Sequence, residues 1–567
     1  MMSRGFGPGH FLLYGNIREA ILFFIPLAVL PYPRVKNNRG GKTMKNRETL
    51  YGIFVLLLTG VILWAGMTVA LAADPVALAG DTTGATKQTV TEIGEKLDLE
   101  SVAKTAAATK IGLNYVWVLL CGMLIFFFQC GFAMVETGFG RAKNASHTMF
   151  MNLIVFLVGL VGFLAMGFAL MCGGVGDLAS LGGKMPLTSE FKIGEWGVFG
   201  YSGFLLTGMA YDVGVFAYFF FQMVFMDTTC TIPTGGVAER VKMSAVILNA
   251  LFISAIYYPL YGNWVWGGGW LSQLGSLAGL GHGVVDFAGS SVVHAMGGVA
   301  AFAGAIVIGP RIGKYRKDGS SVAIPGHHIP MAVAGTIILF FCWFAFNGGS
   351  TLSGSDLRAS VVIVNTMIAG AFGGLVATFY TWKAYGKPDL SMACNGCLAG
   401  LVAITAPCAF VNSIASIFIG TVAGFLVCWA VVFIDAKLKI DDPVGASAVH
   451  MVNGIWGMIA LGLFADGTYG DGLNGVAGGV TGLFYGDAGQ LWAQLIAVAT
   501  LCVYGFGSQY LFWKVTDKLI GIRVSAASEI AGLDETEVAP FGYPDFSVKT
   551  PLDIPLPAEY AIAATKK

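Results

Sequence analysis

Two histidines stand inside runs of apolar residues, and each follows an aspartate by eight positions: Asp286 and His294, then Asp442 and His450. An ionisable side chain in such a run is costly to keep away from water, so its retention points to function. Imidazole titrates near neutrality and both donates and accepts hydrogen bonds, which suits it to passing protons or holding a small hydrogen-bonding guest. No HExxH or GxSxG pattern accompanies the pair. Cys394 and Cys397 form a lone CxxC with no second pair and no nearby histidine, which argues against a metal or redox centre. The expectation is therefore no metal, no cofactor and no enzymatic activity.

The elements that must position these histidines are membrane spans. Only 12% of the 567 residues are charged, against about 25% in an ordinary soluble chain. Net charge is zero, so nothing argues for nucleic acid as a partner. The 79 glycines suit closely packed membrane helices. Apolar runs near the length needed to cross a bilayer fall at roughly 114–136, 149–173, 210–234, 243–264, 286–309, 328–350, 359–382, 390–408, 412–434, 444–465 and 488–513. With the first running inward, Arg141, Arg240, Arg311, Lys383, Lys437 and their basic neighbours all lie inside. Only Lys184, Lys192 and Arg358 lie outside, which gives an N-out, C-in orientation.

The fold expected is an all-α polytopic membrane protein of eleven transmembrane helices. Val293-His294 falls in the fifth and Val449-His450 in the tenth, an odd offset, so the two copies run in opposite directions. This is two inverted five-helix repeats plus a final helix, an arrangement that places function near the midplane. Each aspartate stands at a helix start, where it meets unpaired N–H groups. Eight α-helical residues rise about 12 Å, so the two histidines are expected to converge from opposite faces of a core about 30 Å thick.

Outside these spans, Met44-Lys-Asn-Arg47 followed by an apolar run to Val69-Ala-Leu-Ala-Ala73 reads as a signal peptide over 44–73; an uncleaved anchor helix is the alternative. Residues 1–43 are expected to precede the true start, 74–110 to form an external polar segment, 111–515 the membrane domain and 516–567 a cytoplasmic tail.

Several longer stretches resemble the ammonium transporter family (Amt/Mep/Rh). They are Asp286–His294 with Gly297-Gly298, Asp441-Asp442-Pro443 with Val449-His450, Phe221-Gln222 with Phe225 and Ala238-Glu239-Arg240, Trp264-Val-Trp266-Gly-Gly-Gly269, and Trp343-Phe-Ala-Phe346-Asn347-Gly-Gly-Ser350. The resemblance implies an ammonium/ammonia channel in the cell's inner (plasma) membrane. It implies substrate recruitment at Phe221, Trp266 and Ser350, a gate of Phe225 and Phe346, a pore of His294 and His450, and support of the vestibule by Asp286. It also implies a homotrimer. The tail motifs Gly521-Ile-Arg523-Val-Ser525 and Gly532-Leu-Asp534 resemble the family's regulatory tail. A PII-type regulatory protein is the partner such a tail implies, although Glu537-Val-Ala-Pro-Phe-Gly-Tyr543 stands where the family's His-Gly-Glu is expected.

Two further acids lie within spans. Asp227 follows the supposed gate residue Phe225 by two positions and is expected to bond threonine hydroxyls or to alter proton handling. Glu136 is expected to pair or cap locally. Because Asp227 stands where the family usually has a small neutral residue, an ammonium sensor of the same fold with little or no transport is the alternative function.

Overall fold

The computed structural model describes residues 99–184 and 186–544. The upstream segment, the signal peptide and most of the external polar segment lie outside the described residues. The chain there is mostly helical. Its long elements are α1 (Leu99–Phe139, broken at Phe127), α2 (Ala142–Cys172), α3 (Val213–Val237), α4 (Met243–Trp266), α5 (Ser290–Ile308), α6 (Ile329–Gly349), α7 (Ala359–Tyr385), α8 (Leu390–Ile404), α9 (Ser413–Lys437), α10 (Ser447–Phe464) and α11 (Ala488–Ile520). "Outer" and "inner" below follow the Lys/Arg assignment. One short antiparallel hairpin, β1 (Glu190–Ile193) with β2 (Trp196–Gly200), lies in the outer α2–α3 connection.

Local chemistry sets many of the starts. Asp212, Asp389, Asn412 and Asp487 each accept a hydrogen bond from a first-turn N–H of α3, α8, α9 and α11, as capping residues do. Pro330 sits in the first turn of α6, where its missing N–H costs nothing.

Among the described residues, ten helices are long and apolar enough to cross a membrane. The stretch expected to span at 390–408 is shorter: α8 has 15 residues, about 22 Å. Pro407 follows Ala406, and a residue before proline disfavours the α conformation. The chain turns there instead, and the Thr405 and Ala406 carbonyls accept the N–H groups of Ala288 and Phe287. At the other end of the domain, residues 99–110, read from sequence as part of a polar segment, form the first turns of α1.

Packing in the two halves corresponds. α2 lies against α3 and α4 as α7 lies against α8 and α9; α5 lies against α3 as α10 lies against α8; α1 and α6 pack on each other. The histidine-bearing helices cross through glycine. A Cβ on Gly298 would strike the Met451 nitrogen, and one on Gly454 would lie 3.0 Å from the Ala295 nitrogen. Each glycine is four residues past its histidine, and each meets the residue just after the other histidine.

After α11 the chain runs along the inner face of its own membrane domain. Val524 N–H donates to Arg240 O at 3.0 Å. The Asp534 carboxylate accepts from Ser146 and His147 N–H at the start of α2, at 3.0 and 2.8 Å.

Candidate functional site

Neither histidine sits in ordinary α-helix. Ser290–Ala295 and Ser447–Val452 are π turns, wider than α and often found at functional positions. This corrects the rise inferred from sequence. Helix begins only at Ser290 and Ser447, so Asp286 and His294 are not separated by eight α-helical residues.

The two aspartates act alike at these starts. Asp286 Oδ1 accepts from Gly289 and Ser290 N–H at 2.9 and 2.8 Å, and Oδ2 from Ser291 and Val292 N–H at 2.8 and 3.0 Å, with the Ser291 hydroxyl at 2.7 Å. Asp442 Oδ1 accepts from Gly445 and Ala446 N–H at 3.1 Å each, and Oδ2 from Ser447 N–H at 2.7 Å. The third residue on is glycine with positive φ in both copies, 107° at Gly289 and 79° at Gly445, where a side chain would be strained. Asp-x-x-Gly-x-Ser was therefore legible in both copies. It encodes a carboxylate wrapped by backbone N–H groups ahead of a wide turn. Neither Asp286 oxygen bonds His294.

Aromatic rings lead from the outer end of α4 to the histidines. Phe221 and Phe225 lie one turn apart on α3, with ring centroids 4.8 Å apart. Phe225 is 6.1 Å from Trp266, edge to face, and stacks on Phe346 at 4.0 Å and 22°. Stacked rings at that separation are in contact. Phe346 lies 5.4 Å from His294, and His294 stacks on His450 at 5.4 Å and 21°. Both imidazoles are buried. Among the described residues, neither His294 nitrogen has a hydrogen-bond partner, and His450 Nδ1 has none.

Sequence reasoning missed three further rings. Trp343 stacks on His294 at 4.8 Å and donates from Nε1 to the Thr405 hydroxyl at 2.9 Å. Phe128 stacks on Phe346 at 5.2 Å, and Phe132 lies 5.9 Å from His450. Phe128 and Phe132 stand one helical turn apart, a spacing that places them on one face.

Ser350 closes α6 and donates its hydroxyl to Phe346 O at 2.8 Å, which leaves its lone pairs free to accept. Trp266 Nε1 donates to Asp286 O at 2.6 Å, so the backbone of the acid fixes the indole.

The remaining acids lie elsewhere. Asp227 is about 200° around α3 from Phe225, buried, with no partner for Oδ1. It does not bond the neighbouring threonine hydroxyls as expected. Thr228 and Thr229 donate instead to the Val224 and Phe225 carbonyls, as intrahelical threonines often do. Glu136 is not capped locally. It accepts from Asn152 Nδ2 at 2.9 Å and from the Thr234 hydroxyl at 2.8 Å, which ties α1 to α2 and α3.

At the inner face a buried ion-pair network adjoins Asp442. Arg311 donates to Asp441 Oδ1 and Oδ2 at 2.9 and 2.8 Å and to Glu239 Oε2 at 2.8 Å. Arg141 also pairs with Glu239, and Arg240 donates to Asp441 O at 2.7 Å. Burial alone would raise the Glu239 carboxyl; the Arg311 and Arg141 guanidiniums outweigh it and hold it at about 2. Burial is likewise outweighed at Asp441, where Arg311 and Arg240 hold the carboxyl well below the usual range.

Comparison with known proteins gives one consistent result. A family model described as Ammonium Transporter Family matches residues 116–543. The chain is 46% identical over 451 residues to Ammonium transporter Amt2 of Archaeoglobus fulgidus, covering 79% of this chain and 91% of that protein. It is 35% identical over 449 residues to Ammonium transporter Amt1 of Haloferax mediterranei, covering 77% and 80%. Among solved structures, one titled Sensor Amt Protein is 35% identical with a TM-score of 0.67, covering 76% of this chain and 99% of that one. The structure of Candida albicans Mep2 is 26% identical with a TM-score of 0.63, covering 77% and 92%.

Proposed function

Because the chain belongs to the ammonium transporter family, we propose that it is a channel-like transporter that takes ammonium from the outer side and conducts ammonia past a ring gate and a histidine pair. The observation that carries this reading is the stacked pair His294–His450, buried directly below the Phe225–Phe346 stack. Phe221, Trp266 and Ser350 supply ring faces and a hydroxyl acceptor at the outer end. Cation–π contacts of about 0.5–2 kcal/mol each concentrate a cation without trapping it.

Beyond Trp266 the route is walled by rings, and an apolar wall disfavours a charged guest. Ammonium escapes that cost by giving up a proton, whereas potassium has none to give. The ring stack at 4.0 Å must part for each guest. Below it the unpartnered imidazole nitrogens offer ammonia hydrogen bonds, and they also suit return of the proton. Transport rather than catalysis is the activity proposed. The setting is the plasma membrane, N-out and C-in, with eleven crossings if α8 is counted, in a trimer. A PII-type protein is proposed at the inner face.

A second reading has support of its own. The resemblance to a structure titled Sensor Amt Protein, together with the unusual buried acid Asp227, favours an ammonium sensor. Methylammonium uptake by a strain lacking its own transporters separates the two: rescue by this chain supports transport, and binding without rescue supports sensing.

A further inference from the structure

The inverted repeat accounts for ten helices and leaves α11 over. Two buried glutamines, Gln490 and Gln494, stand one turn apart near its outer end. Gln494 pairs with Val285 as a strand residue would: its Oε1 accepts Val285 N–H at 3.0 Å and its Nε2 donates to Val285 O at 2.7 Å. Gln490 bridges two residues just before Val285, accepting His282 N–H at 3.0 Å and donating to Gly283 O at 2.9 Å. Gln490 Nε2 also reaches Gln494 Oε1 at 3.4 Å. Two side-chain amides thus tie 282–285 to the outer end of α11. The next residue is Asp286, whose carbonyl receives the Trp266 indole N–H.

We infer that Gln490 and Gln494 are positioning residues for the outer recruitment site: they fix the segment that orients Trp266. The two halves show why amides are used here. Asp442 has the same wrapping role at the inner end, and the residue before it, Asp441, is held by the charged Arg311 and Arg240. The residue before Asp286 is held by neutral groups. A guanidinium at the outer position would repel the cation that this end recruits, and a carboxylate could not donate to Val285 O. A primary amide satisfies both the N–H and the carbonyl without net charge.

The inference rests on reading Trp266 as a recruitment residue. The test uses full-length protein reconstituted in vesicles, with radiolabelled methylammonium uptake measured against concentration; if no variant transports, ammonium-dependent thermal stabilisation of the purified protein supplies the midpoint. Gln494→Leu raises the half-saturation concentration about tenfold, the size expected for losing roughly one cation–π contact, and leaves the maximal rate within about twofold. Trp266→Leu raises it comparably, and the double variant is no worse than the worse single one, because both act through one indole. Gln490→Leu gives a smaller shift in the same direction and decides the matter if Gln494→Leu fails to fold. An unchanged half-saturation in the glutamine variants, a loss confined to maximal rate, or multiplied effects in the double variant overturns the inference. Should Trp266→Leu itself leave half-saturation unchanged, the recruitment reading fails instead.

Discussion

Gly298 lies so close to Met451 that a single methyl group on it would strike the Met451 nitrogen. In the other half a methyl group on Gly454 would strike the Ser290 carbonyl and lie 3.0 Å from the Ala295 nitrogen. The histidine turns therefore meet backbone to backbone, and this contact is what sets the 5.4 Å stack of His294 on His450.

Gly298→Ala is expected to force the two turns apart. Overpacking of this kind costs about 1–3 kcal/mol, and here the obstacle is backbone rather than a flexible side chain. The melting temperature of the purified protein and its methylammonium uptake should both fall. Retention of both would mean that the crossing is loose. Gly454→Ala should behave alike, since its Cβ would meet the Ser290 carbonyl.

The inner ion pairs set a pH dependence. Glu239 and Asp441 titrate lower in the folded chain than the ordinary carboxyl values of about 4. The stability they lend is whole above about pH 5 and is lost as pH falls through about 4 towards 2. Melting temperature should hold steady down to about pH 5 and then drop. Glu239→Gln leaves Arg311 and Arg141 short of a partner and should cost about 3–5 kcal/mol at neutral pH, with a shallower acid slope. Equal slopes in wild type and variant would exclude Glu239 as a source of the acid sensitivity.

Asp227 is a buried acid with an unpartnered oxygen. Such a group destabilises a fold by about 1–3 kcal/mol. Asp227→Ala should therefore raise the melting temperature. A lower one would show that the carboxyl has a stabilising role. The same variant, measured for uptake, tests whether the acid is kept for function at the expense of stability.

What could be read from the chain, and what could not, follows from the physics of each residue. An aspartate and a histidine in an apolar run stand out because burying them is costly, so Asp286, His294, Asp442 and His450 were visible at once, and their odd spacing in spans exposed the repeat. The π turns were not visible: a widened turn leaves little trace in hydropathy, and the eight-residue spacing was read as α-helix. The short α8 was half-visible, since Pro407 marks the stop but the apolar run continues past it. Glu136 was misread because its partner Thr234 lies on another helix, far away in sequence. Gln490 and Gln494 carry no charge and match no motif, so only the fold shows what they hold.

The path of ammonia along His294 and His450 is the step on which the proposed function stands. Its most direct test is flux into vesicles reconstituted with wild type, His294→Ala or His450→Ala, measured for ammonium and for potassium. A lower ammonium rate, a weaker preference for ammonium over potassium, or both, is expected in each variant. Rate and selectivity unchanged from wild type in both variants would contradict it.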